Sequence, residues 1–429
     1  MSSYTTVKGD TFESIARKFY GNELQATAID AANPGAQEPL NAGTPLIIPA
    51  DVTAPRAPRT AVAGADENGV TIQIDGEEFL NWSRLKIDTG FDKISTFSFD
   101  APFEPADAQF RRVFKPFSYK TVQIYIGDSV AFTGTIVSTI PTSEPGSNTL
   151  SVSGYSRPGV LADCMPPAPG SASPYEFLNL NVVEIAYNLG VPFGVQAIGG
   201  FGAPGAPFEQ VSIQPTEKVL PFLAGLARQR GMVIGSDADG EMVFRKEKSA
   251  PGADLTDVFL PANSAELGRL SATFSPNEGP VNSVVPRFET QNYYSHITSF
   301  EPVVVTLQGQ KYTATNTRLK GVLRPHNMQV SDSKGGDLIE STEGSMGRMF
   351  ANAVSYAVEL RTWRDASGKL WAPGEFITLN WPEAMIYSDF TFLIRNVTFR
   401  KTSSTEIATL TLVIPGGFSG KVPEALPWE

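Results

Sequence analysis

Apolar and polar positions alternate with a period near two along most of this chain. The runs Val70–Ile74, Ser83–Thr89, Ser95–Asp100, Thr121–Ser129, Val130–Ser138 and Thr149–Tyr155 each predict a strand. Two of them meet at Gly127-Asp128, a dipeptide suited to a tight hairpin turn. The pattern returns in Arg269–Ser275, Ser283–Thr290, Val303–Gln308, Phe376–Asn380, Phe390–Arg400 and Glu406–Ile414. Helical spacing interrupts it over Asn181–Leu189, over Thr216–Arg230 (stripe Val219, Phe222, Leu223, Leu226) and over Ser345–Arg361 (Met346, Met349, Val354, Val358). The segments Gly231–Ile234 and Glu241–Phe244 predict two further strands around a turn at Asp237–Gly240. Residues 159–180 and 327–344 are rich in turn formers and predict loops, and no repeat stands out at a fixed period.

The first fifty residues follow a different plan. Tyr4–Val7 predicts a strand, and Asp10 with Glu13 three residues on makes a capping-box arrangement. Ile15, Phe19 and Tyr20 fall at helical spacing, Leu24–Ala32 makes a second short helix ended by Asn33-Pro34, and Leu46–Ile48 is a returning strand. The organisation expected is therefore a small module over 1–50, a Pro- and Ala-rich linker over 51–68, a first β-domain over 69–160, a small α+β domain over 161–265, and a second β-domain over 266–429 carrying the helix 345–361.

Composition narrows the chemistry. The chain has 429 residues and a formal net charge of -11, which disfavours general nucleic-acid binding. Its one cysteine, Cys164, rules out an intrachain disulfide and suits synthesis in a reducing cytoplasm. No basic segment precedes a long apolar run, so neither a leader peptide nor a membrane span is expected. His296 and His326 lack metal-ligand spacing, so no metal or other cofactor is expected. Glu176, Asp237, Glu359 and Asp365 carry no supporting motif for glycoside hydrolysis, and the near match Gly154-Tyr155-Ser156-Arg157-Pro158 lacks the second glycine of a nucleophile elbow. No catalytic residue is assigned. Arg111, Arg112 and Lys115 beside Phe110 and Phe114 form a basic cluster that faces an acidic neighbouring chain or is a solvated loop. Trp363, Trp371 and Trp381 form an aromatic run that anchors the turn Pro373-Gly374 and covers one barrel end or lies in an interface, with a carbohydrate platform as the alternative.

Two resemblances sharpen the reading. The segment YTTVKGDTFESIARKFYG, then Asn33-Pro34 and LNAGTPLIIP, resembles a LysM module, a βααβ domain. That resemblance implies peptidoglycan or protein contact through Asp10, Thr11, Phe12, Asn33 and Pro34. Residues 70–415 resemble the Mu-type baseplate hub proteins of contractile phage tails, through "IYIGDSVAFTGTIVST", Trp363 to Phe376, Phe392–Phe399 and the closing strand that ends at Pro415. The resemblance implies a mainly β fold with α+β parts: two tube-like β-barrel domains with a small α+β domain inserted between them. It implies a homotrimer that joins tail tube or distal tail proteins to a central spike in the virion's tail baseplate, with DNA passing through the lumen unbound. The module would then hold other baseplate proteins. The alternative is a wall-binding hydrolase or adhesin.

Overall fold

The computed structural model describes residues 2–6, 11–12, 14–15, 29, 33, 36, 40–48, 67–168, 175–248, 271–274, 280–301, 310–330, 337–420, 423 and 425–429. Contacts divide the chain into two units, Met1–Ala65 and Asp66–Glu429. In the first, Ser2–Thr5 pairs antiparallel with Pro45–Ile48. Phe12, Ile15, Ile29, Leu40 and Leu46 form its buried core.

The second unit is built on one sheet of thirteen strands. The first half of this sheet uses, in chain order, Val70–Ile74, Arg84–Gly90, Thr96–Pro102, Thr121–Ile126, Ser129–Glu144 and Ser147–Ser156. The second half uses Ser271–Phe274, Val281–Phe288, Val354–Leu360, Phe376–Trp381, Ile386–Lys401 and Glu406–Val413. Within each half the strands lie side by side in the same order: second, third, sixth, fifth, fourth, first. The four pairings between second and fourth strands are antiparallel in both halves. The fifth strand has 16 residues in each, and a register shift falls at the same place, at Val137 in one and Arg395 in the other. The halves are thus a structural repeat. They differ in the first strand, which runs antiparallel to the fourth in one half and parallel in the other, and in Glu77–Phe79, an added edge strand of the first half.

One hydrophobic core serves both halves. Ile87, Phe97, Phe99, Ile124 and Val152 come from the first, and Val358, Phe392, Val397, Phe399 and Leu410 from the second. Between the halves, the segment after Ser156 forms a small α+β unit with its own core. Its helix Val182–Gly190 opens with a complete capping box between Asn181 and Glu184, and its helix Val219–Gln229 buries Val219, Phe222, Leu223 and Leu226. A second insertion, inside the second half, holds the three strands His296–Phe300, Lys311–Thr315 and Pro325–Gln329 and the helix Leu338–Ala353.

A buried carboxylate ties the α+β unit to the chain's end. Glu247, 4% exposed, accepts hydrogen bonds from the backbone N–H of Gly416 (2.7 Å) and Phe418 (2.8 Å). The same loop lies on small residues of the Leu338–Ala353 helix: a Cβ added at Gly347 would come within 2.7 Å of the Gly416 carbonyl oxygen. Burial pushes the Glu247 carboxyl up to about 7, the two N–H donors only partly opposing it.

Several expectations change. The helix expected over 345–361 is instead Leu338–Ala353, followed directly by the strand Val354–Leu360. Val354 and Val358 are four apart, a spacing that fits one helix face and one strand face alike; the alternating burial of Val354, Tyr356, Val358 and Leu360 decides for the strand. The expected loops at 159–180 and 327–344 hold, respectively, the strand Glu176–Leu180 and the start of that helix. The strand expected at Val303–Gln308 and residues 51–66 of the expected linker lie outside the described residues. Asn68 is fastened to the body, its carbonyl accepting from Lys401 Nζ at 2.8 Å.

Two measurements test this packing. Gly154 and Leu412 occupy equivalent places in the sixth strands. A Cβ at Gly154 would fall 1.9 Å from the Thr135 carbonyl oxygen, so Gly154→Ala costs about 1–3 kcal/mol by overpacking. Leu412→Ala costs about 2–5 kcal/mol by leaving a cavity, both read by denaturant unfolding. The Glu247 carboxyl has a raised folded value, so the native state holds its proton longer than the unfolded chain does. Stability therefore falls as pH rises from about 4.5 through about 7, and the full cost is present above that. Unfolding of the wild type and of Glu247→Gln at stepped pH checks this: the wild type loses stability relative to the variant across that window.

Candidate assembly interface

The two halves meet at one antiparallel joint. The second strand of the first half, Arg84–Gly90, lies against the distal part of the fifth strand of the second half, with Gly90 opposite Asn396, Ile87 opposite Phe399 and Leu85 opposite Lys401. The Phe91 N–H donates to the Arg395 carbonyl oxygen at 2.7 Å, which fixes the phase of the ladder. Side chains reinforce it. Arg395 makes a two-pronged ion pair with Asp92 (3.0 and 2.7 Å), and Thr398 donates to Asp88 at 3.1 Å. From the α+β unit, Arg245 donates to the Gly90 and Phe91 carbonyl oxygens at 3.0 Å and stands over the Phe91 ring; burial pulls its guanidinium down to about 10.

The joint works because the fifth strand changes partner halfway. In the second half, Ile386–Leu393 pairs with the fourth strand, and Asn396–Lys401, on the same flank, pairs with Arg84–Gly90. In the first half, Ser129–Thr135 likewise pairs with the fourth strand. Beyond the shift at Val137 the strand continues to Glu144 with the sixth strand on one flank and, among the described strands, none on the other. Residues 140–149 are exposed, with Ile140 at 59%. At the far end of the sheet, Val281–Phe288 pairs only with Val354–Leu360 among the described strands, and Val285 (57%) and Phe288 (41%) are exposed.

The sequence candidates divide into buried and exposed groups. Arg111 and Arg112 close the short helix Ala108–Val113, and with Lys115 they are exposed, while Phe110 and Phe114 are buried against Phe79, Phe99 and Phe103. Next to them Phe117 is 91% exposed with φ +60°, beside Tyr119 at φ +47°. This loop is anchored by Asp75, which pairs with Lys120 and accepts from the Thr121 N–H and hydroxyl at 3.0 Å. Burial would raise the Asp75 carboxyl, but these bonds outweigh it and hold it below its usual value. The exposed aromatic pair extends the basic cluster; its signal in the sequence is the segment Lys115–Lys120, with two aromatics and no acidic residue.

The tryptophans belong to the chain's own core. Trp363 is fully buried against Phe399, and Trp371 is 2% exposed and donates to the Thr362 carbonyl oxygen at 3.2 Å. Neither offers surface to a neighbour, which corrects the interface expectation for these two. Trp381 is half-buried at the end of Phe376–Trp381. In the first unit Phe12 is a core residue and Asn33 donates its side-chain amide to the Ile29 carbonyl oxygen at 2.7 Å, so both serve the module's interior. Thr11 caps its helix: its hydroxyl accepts from the Ser14 N–H at 3.1 Å, and the Ser14 hydroxyl accepts from the Thr11 N–H at 2.9 Å. Asp10, Glu13 and Pro34 lie outside the described residues. Among the described residues no group of three or more His, Cys, Asp or Glu side chains could hold a metal ion.

Residues 158–246, the inserted α+β unit, match the family described as the second domain of gp44-like baseplate hub proteins. Residues 2–57 match the family Phage Tail Protein X. The chain is 21% identical over 329 residues to the baseplate hub protein gp44 of Escherichia phage Mu, covering 73% of this chain and 79% of that one. Its fold is similar to the 43 kDa tail protein of prophage MuSo2 from Shewanella oneidensis (21% identity, 81% of this chain and 98% of that one, TM-score 0.64). It is similar too to the tail protein from Neisseria meningitidis MC58 (19% identity, 82% and 98% covered, TM-score 0.64).

Proposed function

We propose that this chain is a structural hub subunit of a contractile phage tail baseplate. Three copies form a ring in the virion's tail that joins the tail tube to the central spike. The observation that carries this reading is the repeat of six strands in the same order: with each half taken as one tube-like domain, three chains present six equivalent positions. Such a ring meets a sixfold tube on one face and a threefold spike on the other. The resemblance to the baseplate hub protein of phage Mu supports the same role, and the formal net charge of -11 suits a channel that passes DNA without holding it.

The N-terminal unit is read as a LysM module that docks neighbouring baseplate proteins. Its paired terminal strands and small core suit an accessory fold, and Phe12 and Asn33, two of the residues expected to contact glycan, are buried.

Native mass measurement and micrographs of the purified chain test the hub reading. A ring-shaped trimer without glycan hydrolysis is expected; a stable monomer that cleaves peptidoglycan overturns it. For the module, the full chain and a chain lacking residues 1–50 are each incubated with insoluble peptidoglycan. Equal, weak retention is expected, and retention by the full chain alone overturns the docking role.

A further inference from the structure

The joint inside the chain is a template for the joint between chains. Its two partners are the distal fifth strand of the second half and the second strand of the first half. The repeat supplies the equivalent of each, and both equivalents have a flank without a partner among the described strands. We infer that copies of this chain join by antiparallel pairing of residues 138–143 in one copy with residues 284–289 in the next, in the register of the internal joint. This rests on the hub reading and adds the surface by which the ring closes.

The register follows from the ladders. Shifts at Val137 and Arg395 align Ser138 with Asn396, and so Thr139 with Val397, Ile140 with Thr398, Pro141 with Phe399 and Thr142 with Arg400. Through the sixth and third strands, Lys86, Ile87, Asp88 and Thr89 align with Val285, Pro286, Arg287 and Phe288. Because Phe399 faces Ile87, Pro141 faces Pro286; Ile140 faces Arg287 and Thr142 faces Val285. Pairing brings the exposed Ile140 and Val285 together diagonally on one face of the sheet, where each covers the other.

The register is that of the internal joint. The Phe91 to Arg395 hydrogen bond sets the alternation, so the Ile87–Phe399 pair is hydrogen-bonded and its equivalent, Pro141 with Pro286, is a pair with no N–H to give. Facing each other, the two prolines forfeit both hydrogen bonds of one pair, the same number that a slip of two residues would forfeit from two pairs, and a slip of one would turn the faces over. The same prolines blunt both edges against pairing with unrelated strands.

Thr142 and Val285 fall at a non-hydrogen-bonded pair, where opposed Cα atoms stand about 4.5 Å apart, close enough for a disulfide. In a Cys164→Ser background, Thr142→Cys with Val285→Cys is expected to oxidise to a closed covalent oligomer, and either single change or the offset pair Thr139→Cys with Val285→Cys is not. Charge gives a second readout. Arg287 is ion-paired with Glu289 along its own strand, so the variants are compared with each other. Ile140→Arg, set against Arg287, is expected to self-associate about fivefold more weakly per joint than Ile140→Glu, which loses the same apolar contact, and Ile140→Arg with Arg287→Glu recovers that difference. A trimer by native mass that neither crosslinks nor responds to these charges overturns this joint and leaves the hub reading standing. A chain that stays monomeric at high concentration and is absent from assembled tails overturns both.

Discussion

Everything in the larger unit depends on one antiparallel seam, Arg84–Gly90 against Asn396–Lys401. It fuses two six-strand halves into a single sheet and lets one hydrophobic core run through both, so that Ile87 and Phe97 pack in the same cluster as Val397 and Phe399. Without the seam each half would expose a strand edge and half a core. The surrounding polar contacts are placed to protect it. Arg395 with Asp92 closes one end, and Arg245 reaches from the inserted unit to hold the two carbonyl oxygens where the strand leaves the ladder.

The insertions are arranged around this seam. The α+β unit enters between the halves and returns through Glu247, whose carboxylate is held by backbone N–H groups of the loop after the last strand. That loop in turn rests on the helix Leu338–Ala353, where Gly347 leaves room for its carbonyl groups. Segments far apart in the chain thus fold as one body, and the carboxyl that joins them, pushed up by burial, is held by backbone N–H groups.

How much of this was legible in the sequence depended on how local the determinant was. The hairpin at Gly127-Asp128 and the stripe from Val219 to Leu226 were readable because turn chemistry and periodicity act over a few residues. Val354–Leu360 was not, since its apolar spacing serves a helix and a strand equally until the pairing with Glu406–Val413 decides. The repeat left only a faint trace at the level of residue identity, Phe132, Thr133 and Ile136 recurring as Phe390, Thr391 and Ile394. Equivalent places hold Gly154 and Leu412, Thr139 and Val397, Pro141 and Phe399, so it lives in ladder register and strand order. The aromatic run left two readings open for a related reason. Nothing local separates a surface anchor from a core residue, and only the fold puts Trp363 beneath Lys401 and Phe399 and buries Trp371 against the Thr362 carbonyl. The Glu247 contact spans about 170 residues, beyond the reach of any motif.

Carrying both halves on one polypeptide changes the kinetics of building with them. A seam between two segments of one chain closes at an effective concentration set by the connecting loops, commonly in the millimolar range, whereas the same pairing between separate molecules must wait for dilute partners to meet. The Arg84–Gly90 and Asn396–Lys401 strands therefore find each other during folding, before any neighbour is needed. In the ring proposed above, half the docking events that a single-repeat subunit would have to complete by collision are finished when the chain folds.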